Sequence, residues 1–276
     1  MKEKARFDCI ITSGQIGSFI AFDSFLTDFE KENLKKIIIH NNSNFEFQIK
    51  DNNNSLQILN LLKNNKYYNQ NIKFIECKTN NQEIEKHLEN HKIVYTRQFR
   101  KNYYNYSWHL HENINIKNSS FVKNENADIK KFCLPEKYCV IVGWSKRKEK
   151  KLTAKDWKEL IKILENKKTQ GFILNNFHRE DVKIPKHELL IDMTEKTSLL
   201  ESIEITKNAS LYLGINGCLS IIAMQKYPRK CMIKSCIKNF KWFRYFYPKV
   251  KNIKKIFLKN LDSNARTILL RKDSTF

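Results

Sequence analysis

Apolar runs and amphipathic stretches alternate along most of the chain. Phe7, Cys9, Ile10 and Ile11 form a compact run from Phe7 to Thr12 that suits a buried parallel strand. A glycine turn follows from Ser13 to Gly17, and Ser18 stands where it caps a helix that the pattern carries to about Phe29. Lys36 to His40, with three consecutive isoleucines, reads as a second buried strand. Strand, helix and strand in so short a span make a βαβ unit. The alternation continues with a helix at Ser55 to Leu62, a strand at Ile72 to Cys77, a helix at Asn81 to Asn90 and a strand at Lys92 to Thr96.

Between Arg97 and Lys130 the pattern stops. Tyr103, Tyr104, Tyr106, Trp108, His109 and His111 crowd together, and polar Asn, Lys and Ser-rich sequence leads on to Leu134 and Pro135. A domain boundary is expected there, giving an N-terminal domain over 1–132 and a C-terminal one over 133–276. The alternation then restarts with a strand at Tyr138 to Val142, a basic loop from Gly143 to Leu152, and a helix from Thr153 to Asn166. Thr153 and Asp156 have capping-box spacing, and Trp157, Leu160, Ile161 and Leu164 share one face of that helix. Strands at Gly171 to Leu174 and Leu189 to Asp192 precede a helix from Ser198 to Asn208. A strand at Ser210 to Leu213, a turn at Gly214 to Gly217, a helix at Cys218 to Tyr227 and a strand at Lys230 to Ile233 complete the series. The expected fold is α/β, with two Rossmann-like doubly wound domains facing a cleft. Ligands of open α/β sheets bind at the carboxyl ends of the strands.

Composition narrows the class. With 276 residues and 41% hydrophobic positions the chain buries a substantial core, and 6 Gly with 4 Pro exclude collagen-like or low-complexity sequence. No apolar run reaches the ~18 residues of a membrane span, and the N-terminus lacks the h-region of a signal peptide. Seven scattered cysteines, none in C-x-x-C spacing, point to reduced thiols in a cytoplasm and to no metal site.

The formal charge is +22. From Lys226 to Phe276 there are 15 Lys and Arg against Asp262 and Asp273, a net +13, which points to an anionic partner near the C-terminal end. Within that segment, Phe240, Trp242, Phe243, Tyr245, Phe246 and Tyr247 interleave with Lys241 and Arg244. Such a stretch serves a packed helix, a membrane interface or a platform for nucleic-acid bases, and the sequence leaves the three open.

Three segments are candidates for chemistry. The turn with Gly14 and Gly17 feeds a helix N-terminus, where backbone N–H groups meet an anion or polar acceptor. Ser145, Lys146 and Arg147 follow directly on a buried strand and carry the hydroxyl, point charge and bidentate donor that a diphosphate needs, whereas Lys148, Lys150 and Lys151 read as a solvated loop. The third comprises Asp192 to Glu201 and the turn with Asn216 and Gly217, again between strand and helix.

In order and in motif the segment from Tyr138 to Ser235 resembles the C-terminal half of bacterial heptosyltransferase-like glycosyltransferases of the B fold. Asp192-Met193-Thr194-Glu195-Lys196-Thr197-Ser198-Leu199-Leu200-Glu201 is similar to their D-L-T-G-K-T-S-L-x-E, and Asn208-Ala209-Ser210-Leu211-Tyr212-Leu213-Gly214-Ile215-Asn216-Gly217 to their A-D-L-x-V-G-N-D-S-G. The departures are specific. Ser18 stands where the family has a loop Asp proposed as the base, and Ile215-Asn216-Gly217-Cys218-Leu219-Ser220-Ile221 lacks the Asp and His of N-D-S-G-x-x-H.

The resemblance implies a metal-independent hexosyl or heptosyl transfer, with no cofactor beyond a nucleotide-diphosphate sugar as donor. That donor would be held in the second domain by Ser145, Lys146, Arg147, Thr197, Glu201, Asn216 and Gly217, with Gly14 and Gly17 in the glycine turn of the acceptor domain. Asp23, Ser18 and His109, with His111 and Glu112 beside it, are the candidates for the catalytic position. The acceptor is expected to be polyanionic, a lipopolysaccharide or lipooligosaccharide core at the inner membrane surface, with the enzyme cytoplasmic and membrane-peripheral. Two other readings stand beside it: a phage-type glycosyltransferase acting on hydroxylated DNA bases, where positive charge neutralises phosphate, and a non-catalytic nucleic-acid or membrane-binding protein on a degenerate scaffold.

Overall fold

The computed structural model describes residues 5–12, 16–41, 53–78, 91–95, 119–144, 151–175, 183–227, 231–235, 253–254 and 266–270. The chain divides into two compact units between Asn124 and Glu125.

In the first unit β1 (Cys9–Thr12), β2 (Lys36–Asn41), β3 (Lys73–Lys78) and β4 (Ile93–Tyr95) form one sheet in the order β3-β2-β1-β4, all parallel. Ile10, Ile11, Ile37, Ile38, Ile39 and Val94 are fully buried, as expected of strands covered on both faces. The single helix expected up to Phe29 is two: α1 (Ile16–Asp23) and α2 (Asp28–Glu32). The break has a local cause. Thr27 accepts the Glu30 N–H while the Glu30 carboxylate accepts the Thr27 N–H, a capping box that restarts the helix, and the Phe25 N–H turns back to the Phe22 carbonyl. Because α1 begins at Ile16, Ser18 lies inside it and is not its cap. Among the described residues the unit also holds α3 (Asn53–Lys63) and the short α4 (Ser120–Lys123), with Phe19, Tyr68 and Phe121 packed ring against ring at centroid distances of 6.3 to 6.5 Å. The helix expected over Asn81 to Asn90 lies outside the described residues.

The second unit holds a seven-stranded sheet in the order β10-β11-β9-β8-β5-β6-β7. Its parallel part consists of β5 (Tyr138–Val142), β6 (Gln170–Ile173), β7 (Leu190–Asp192), β8 (Leu211–Ile215) and β9 (Cys231–Ser235). Two strands within the basic C-terminal segment, which the apolar pattern does not predict, extend it: β11 (Arg266–Leu270) pairs antiparallel with β9, and β10 (Ile253–Lys254) antiparallel with β11. Among the described residues its α-helices are α5 (Ala154–Lys167), α6 (Leu199–Asn208) and α7 (Cys218–Lys226). Alternation along the strands sends Cys139, Ile141, Leu211 and Leu213 into one layer with Trp157, Leu160 and Leu164 of α5. At about 1.5 to 3 kcal/mol for each large apolar side chain removed from water, that layer is what holds α5 on the sheet. The Thr153–Asp156 capping box is present as the spacing predicts. The expectation of α/β architecture in both halves is met.

Candidate functional site

The parallel part of the second sheet has a topological switch point. From β5 the chain winds outward through β6 and β7, then returns to the other side of β5 for β8 and β9. The crevice between β5 and β8 opens at their carboxyl ends, where doubly wound folds take their ligands. Val142 pairs with Gly214 at this point.

Gly214 explains how closely the two strands approach. Its φ is +147°, and a Cβ there would lie 2.3 Å from the Val142 carbonyl oxygen, so only glycine fits. The sequence reading placed Gly214 in the turn, whereas the structure places it within β8; a glycine inside an apolar strand is itself a signal of close backbone approach.

Beyond β8, Asn216 is nearly buried and Gly217 opens α7. Ser220 locks this turn: its hydroxyl accepts the Gly217 N–H at 2.9 Å and donates to the Gly217 carbonyl at 2.7 Å. Gly217 has extended φ, and a Cβ on it would meet no atom within 4 Å. A side chain added at Gly217 would therefore enter open space at the start of α7. Burial pushes the adjacent Cys218 thiol up to about 11, so it stays protonated and is no nucleophile at neutral pH.

Beyond β5, the chain passes through Gly143 and Trp144 and returns at Lys151, and the Leu152 N–H closes the base of this loop on the Gly143 carbonyl at 2.8 Å. Ser145, Lys146 and Arg147 belong to the loop and lie outside the described residues.

On the far side of β6, the turn after β7 is built from Met193 to Lys196. Thr194 donates its N–H to Asp192 Oδ1 at 2.9 Å, the Lys196 N–H reaches the Met193 carbonyl, and Glu195 takes a left-handed φ of 61°. The glycosyltransferase motif has glycine at the position of Glu195, the residue type that this conformation favours. Thr197 exchanges a hydrogen bond with Ser202 at 2.8 Å, and Ser198 caps α6. Glu201 is occupied: it accepts the Ser198 N–H at 2.7 Å and pairs with the Lys131 ammonium. Burial works against its ionised form, and the Lys131 and Ser198 hydrogen bonds outweigh that and hold its carboxyl below the usual range. Its oxygens hold the connecting segment, which leaves them poorly placed for a ribose.

In the first unit Gly17 and Ser18 lie in the first turn of α1, and Ser18 is buried. Asp23, a candidate for the catalytic position, is fully buried. It accepts from Tyr68 at 2.7 Å, from the Ser119 hydroxyl at 2.6 Å, from the Ser120 hydroxyl at 2.7 Å and from the Ser120 N–H, and it pairs with Lys31 at 3.2 Å. A carboxylate so engaged, away from water, anchors α4 and has no lone pair aimed at a substrate. Gly14 and His109 lie outside the described residues, as do His111, Glu112 and the aromatic stretch from Phe240 to Tyr247. β1 and β4 are neighbours at the switch point of the first sheet.

Among the described residues, no three His, Cys, Asp or Glu side chains come together as a metal site, and no helix is long and apolar enough to cross a membrane.

No family model and no curated protein matches the sequence. Solved structures do match it. The iron-containing dodecameric glycosyltransferase TibC from enterotoxigenic E. coli superposes with a TM-score of 0.50 at 14% identity, over 82% of this chain and 57% of that one. A family 9 glycosyl transferase from Veillonella parvula superposes with a TM-score of 0.50 at 10% identity, over 90% of this chain and 92% of that one. This chain thus spans little more than half the length of TibC. The likeness is one of fold, the two Rossmann-like units of the glycosyltransferase B type.

Proposed function

We propose that the protein is a glycosyltransferase whose second unit binds a nucleotide-diphosphate sugar and whose first unit presents the acceptor. The observation that carries this reading is the switch point between β5 and β8, where Gly214 lets the strands close up, Gly217 adds no side chain to the open space at the start of α7, and the loop bearing Ser145, Lys146 and Arg147 departs from the adjacent strand. A diphosphate needs this combination of backbone donors, cations and small residues.

The reaction is a displacement at the anomeric carbon. The acceptor oxygen forms the new glycosidic bond as the bond to the donor phosphate breaks, and the electron pair leaves on the diphosphate. Lys146, Arg147 and the α7 N–H groups stabilise that developing charge, a task that calls on no metal. With Asp23 committed to α4, the acceptor hydroxyl loses its proton to the group of candidates at His109, His111 and Glu112; His109 is taken as the base, since imidazole titrates in the range that suits one. The net charge of +13 from Lys226 to Phe276 exceeds what one nucleotide sugar requires and supports a polyanionic acceptor, a lipooligosaccharide core at the inner membrane surface.

Incubation with radiolabelled ADP-, UDP- and GDP-sugars and either truncated lipooligosaccharide or hydroxymethylated DNA tests this. Label is expected in the lipooligosaccharide, and His109→Asn lowers the rate at least a hundredfold. Transfer to DNA alone rejects the proposed acceptor, and transfer to neither rejects the enzyme reading.

A further inference from the structure

The amino edge of the second sheet, opposite the switch-point crevice, carries a hollow of about 470 Å³. It lies where β5, β6 and β8 begin and where α5 ends. Among the described residues it is lined by the exposed Lys137, Asn166 and Lys167, by Thr169 and Ser210, and by the buried Cys139 and Leu211, with no carboxylate. The volume falls within the range of small-molecule sites.

Three observations indicate what it takes. The first is charge: Lys137 and Lys167 both line the hollow, and no acidic residue stands among its described lining residues. The second is the helix end. The carboxyl terminus of α5 would repel an anion, but the Leu164 and Glu165 carbonyls there are already bonded by the Lys168 and Thr169 N–H groups. The third is the buried part of the lining. Burial pushes the Cys139 thiol up to about 12, against the smaller opposing influences of the Lys167 charge and a hydrogen bond from Thr169, so this cysteine is a neutral, apolar surface.

We propose that this hollow is a second ligand site, separate from the switch point, for a phosphomonoester bearing an apolar group. The phosphate sits between Lys137 and Lys167, and the apolar part lies on Cys139 and Leu211. The chemistry is shared by small aryl or alkyl phosphates and by the headgroup of phosphatidic acid.

The test uses the full-length protein, phenyl phosphate as the soluble probe in calorimetry, and phosphatidylcholine vesicles with and without phosphatidic acid in sedimentation. At least one phosphate probe is expected to bind. Phenyl phosphate binding alone identifies a soluble ligand, and retention by phosphatidic acid vesicles alone identifies a lipid headgroup. In either case Lys137→Ala combined with Lys167→Ala weakens binding at least tenfold, while Lys158→Ala with Lys162→Ala, which removes two exposed cations elsewhere on α5, leaves it unchanged. All four lysines are exposed, so both variants fold. Phenol, which lacks the phosphate, does not bind. The proposal is overturned if neither phosphate probe binds, or if the two pairs of substitutions weaken binding equally. A melting shift with nucleoside diphosphates that persists in the Lys137 and Lys167 variant keeps this outcome distinct from that of the donor site.

Discussion

The Asp23 carboxylate lies 3.2 Å from the Lys31 ammonium, and both side chains are almost wholly removed from water. Burial alone would raise the carboxyl's pKa, but the Lys31 charge and the hydrogen bonds from Ser119, Tyr68 and Ser120 outweigh it and hold Asp23 below its ordinary value of 3.8. Removing one partner of such a pair leaves the other buried and uncompensated. Asp23→Asn is therefore expected to cost about 3 to 5 kcal/mol in urea unfolding, and Asp23→Leu with Lys31→Met markedly less.

The same shift fixes a dependence on pH. A carboxylate with a depressed folded-state pKa contributes stability that is present above its unfolded value and lost as pH falls through its folded value. Wild-type unfolding free energy should decline below about pH 4, and the slope of that decline should be shallower in the Asp23→Asn protein. Equal slopes would remove Asp23 from the account of acid unfolding.

Two glycines at the switch point should behave in opposite ways. Gly214→Ala puts a methyl group against the Val142 carbonyl at a φ that side chains rarely adopt, and about 2 kcal/mol or more of stability should be lost. Gly217→Ala meets open space at an extended φ and should melt within about a degree of wild type, yet bind nucleotide less tightly because the methyl occupies the approach to α7. Melting curves with and without nucleotide check both.

Glu195 holds a left-handed φ of 61° without being glycine. Replacement by glycine relieves that strain and adds unfolded-state entropy, so Glu195→Gly is expected to be neutral to stabilising, by up to about 1 kcal/mol. A loss of more than that would show that the exposed Glu195 side chain is holding the turn.

The connecting segment is pinned on both sides of the boundary. The Asn124 amide donates to the Asn64 carbonyl at 2.8 Å, and the Asn126 N–H donates to Glu204, which also takes the Lys207 ammonium. Glu204→Ala should raise native-state tryptic cleavage at Lys130 and Lys131 about tenfold, as expected when buried donors lose their acceptor and the segment opens more often.

What the sequence makes legible follows from how far apart the interacting groups lie. The Thr153–Asp156 box and the buried face of α5 are visible because they act over three or four positions. Thr27 and Glu30 carry the same signal, but the apolar run around them reads as one helix. Ser198 and Glu201 also have capping spacing, the signal that ties Glu201 to the helix end. Asp23 is different in kind, since its partners Tyr68, Ser119 and Ser120 lie 45, 96 and 97 positions away, and no local pattern distinguishes it from a surface aspartate. β11 is equally hidden, because its pairing with β9 is long-range and no local pattern announces it.

The donor site is the central claim, and thermal unfolding with ADP, GDP, UDP and CMP tests it most directly. Ligand at a hundred times its Kd stabilises by about 2.7 kcal/mol, which for a chain of this size raises Tm by several degrees. One nucleoside diphosphate is predicted to give that shift, and Lys146→Ala with Arg147→Ala to abolish most of it. No shift with any of the four nucleotides, or a shift unaffected by those substitutions, would contradict the account.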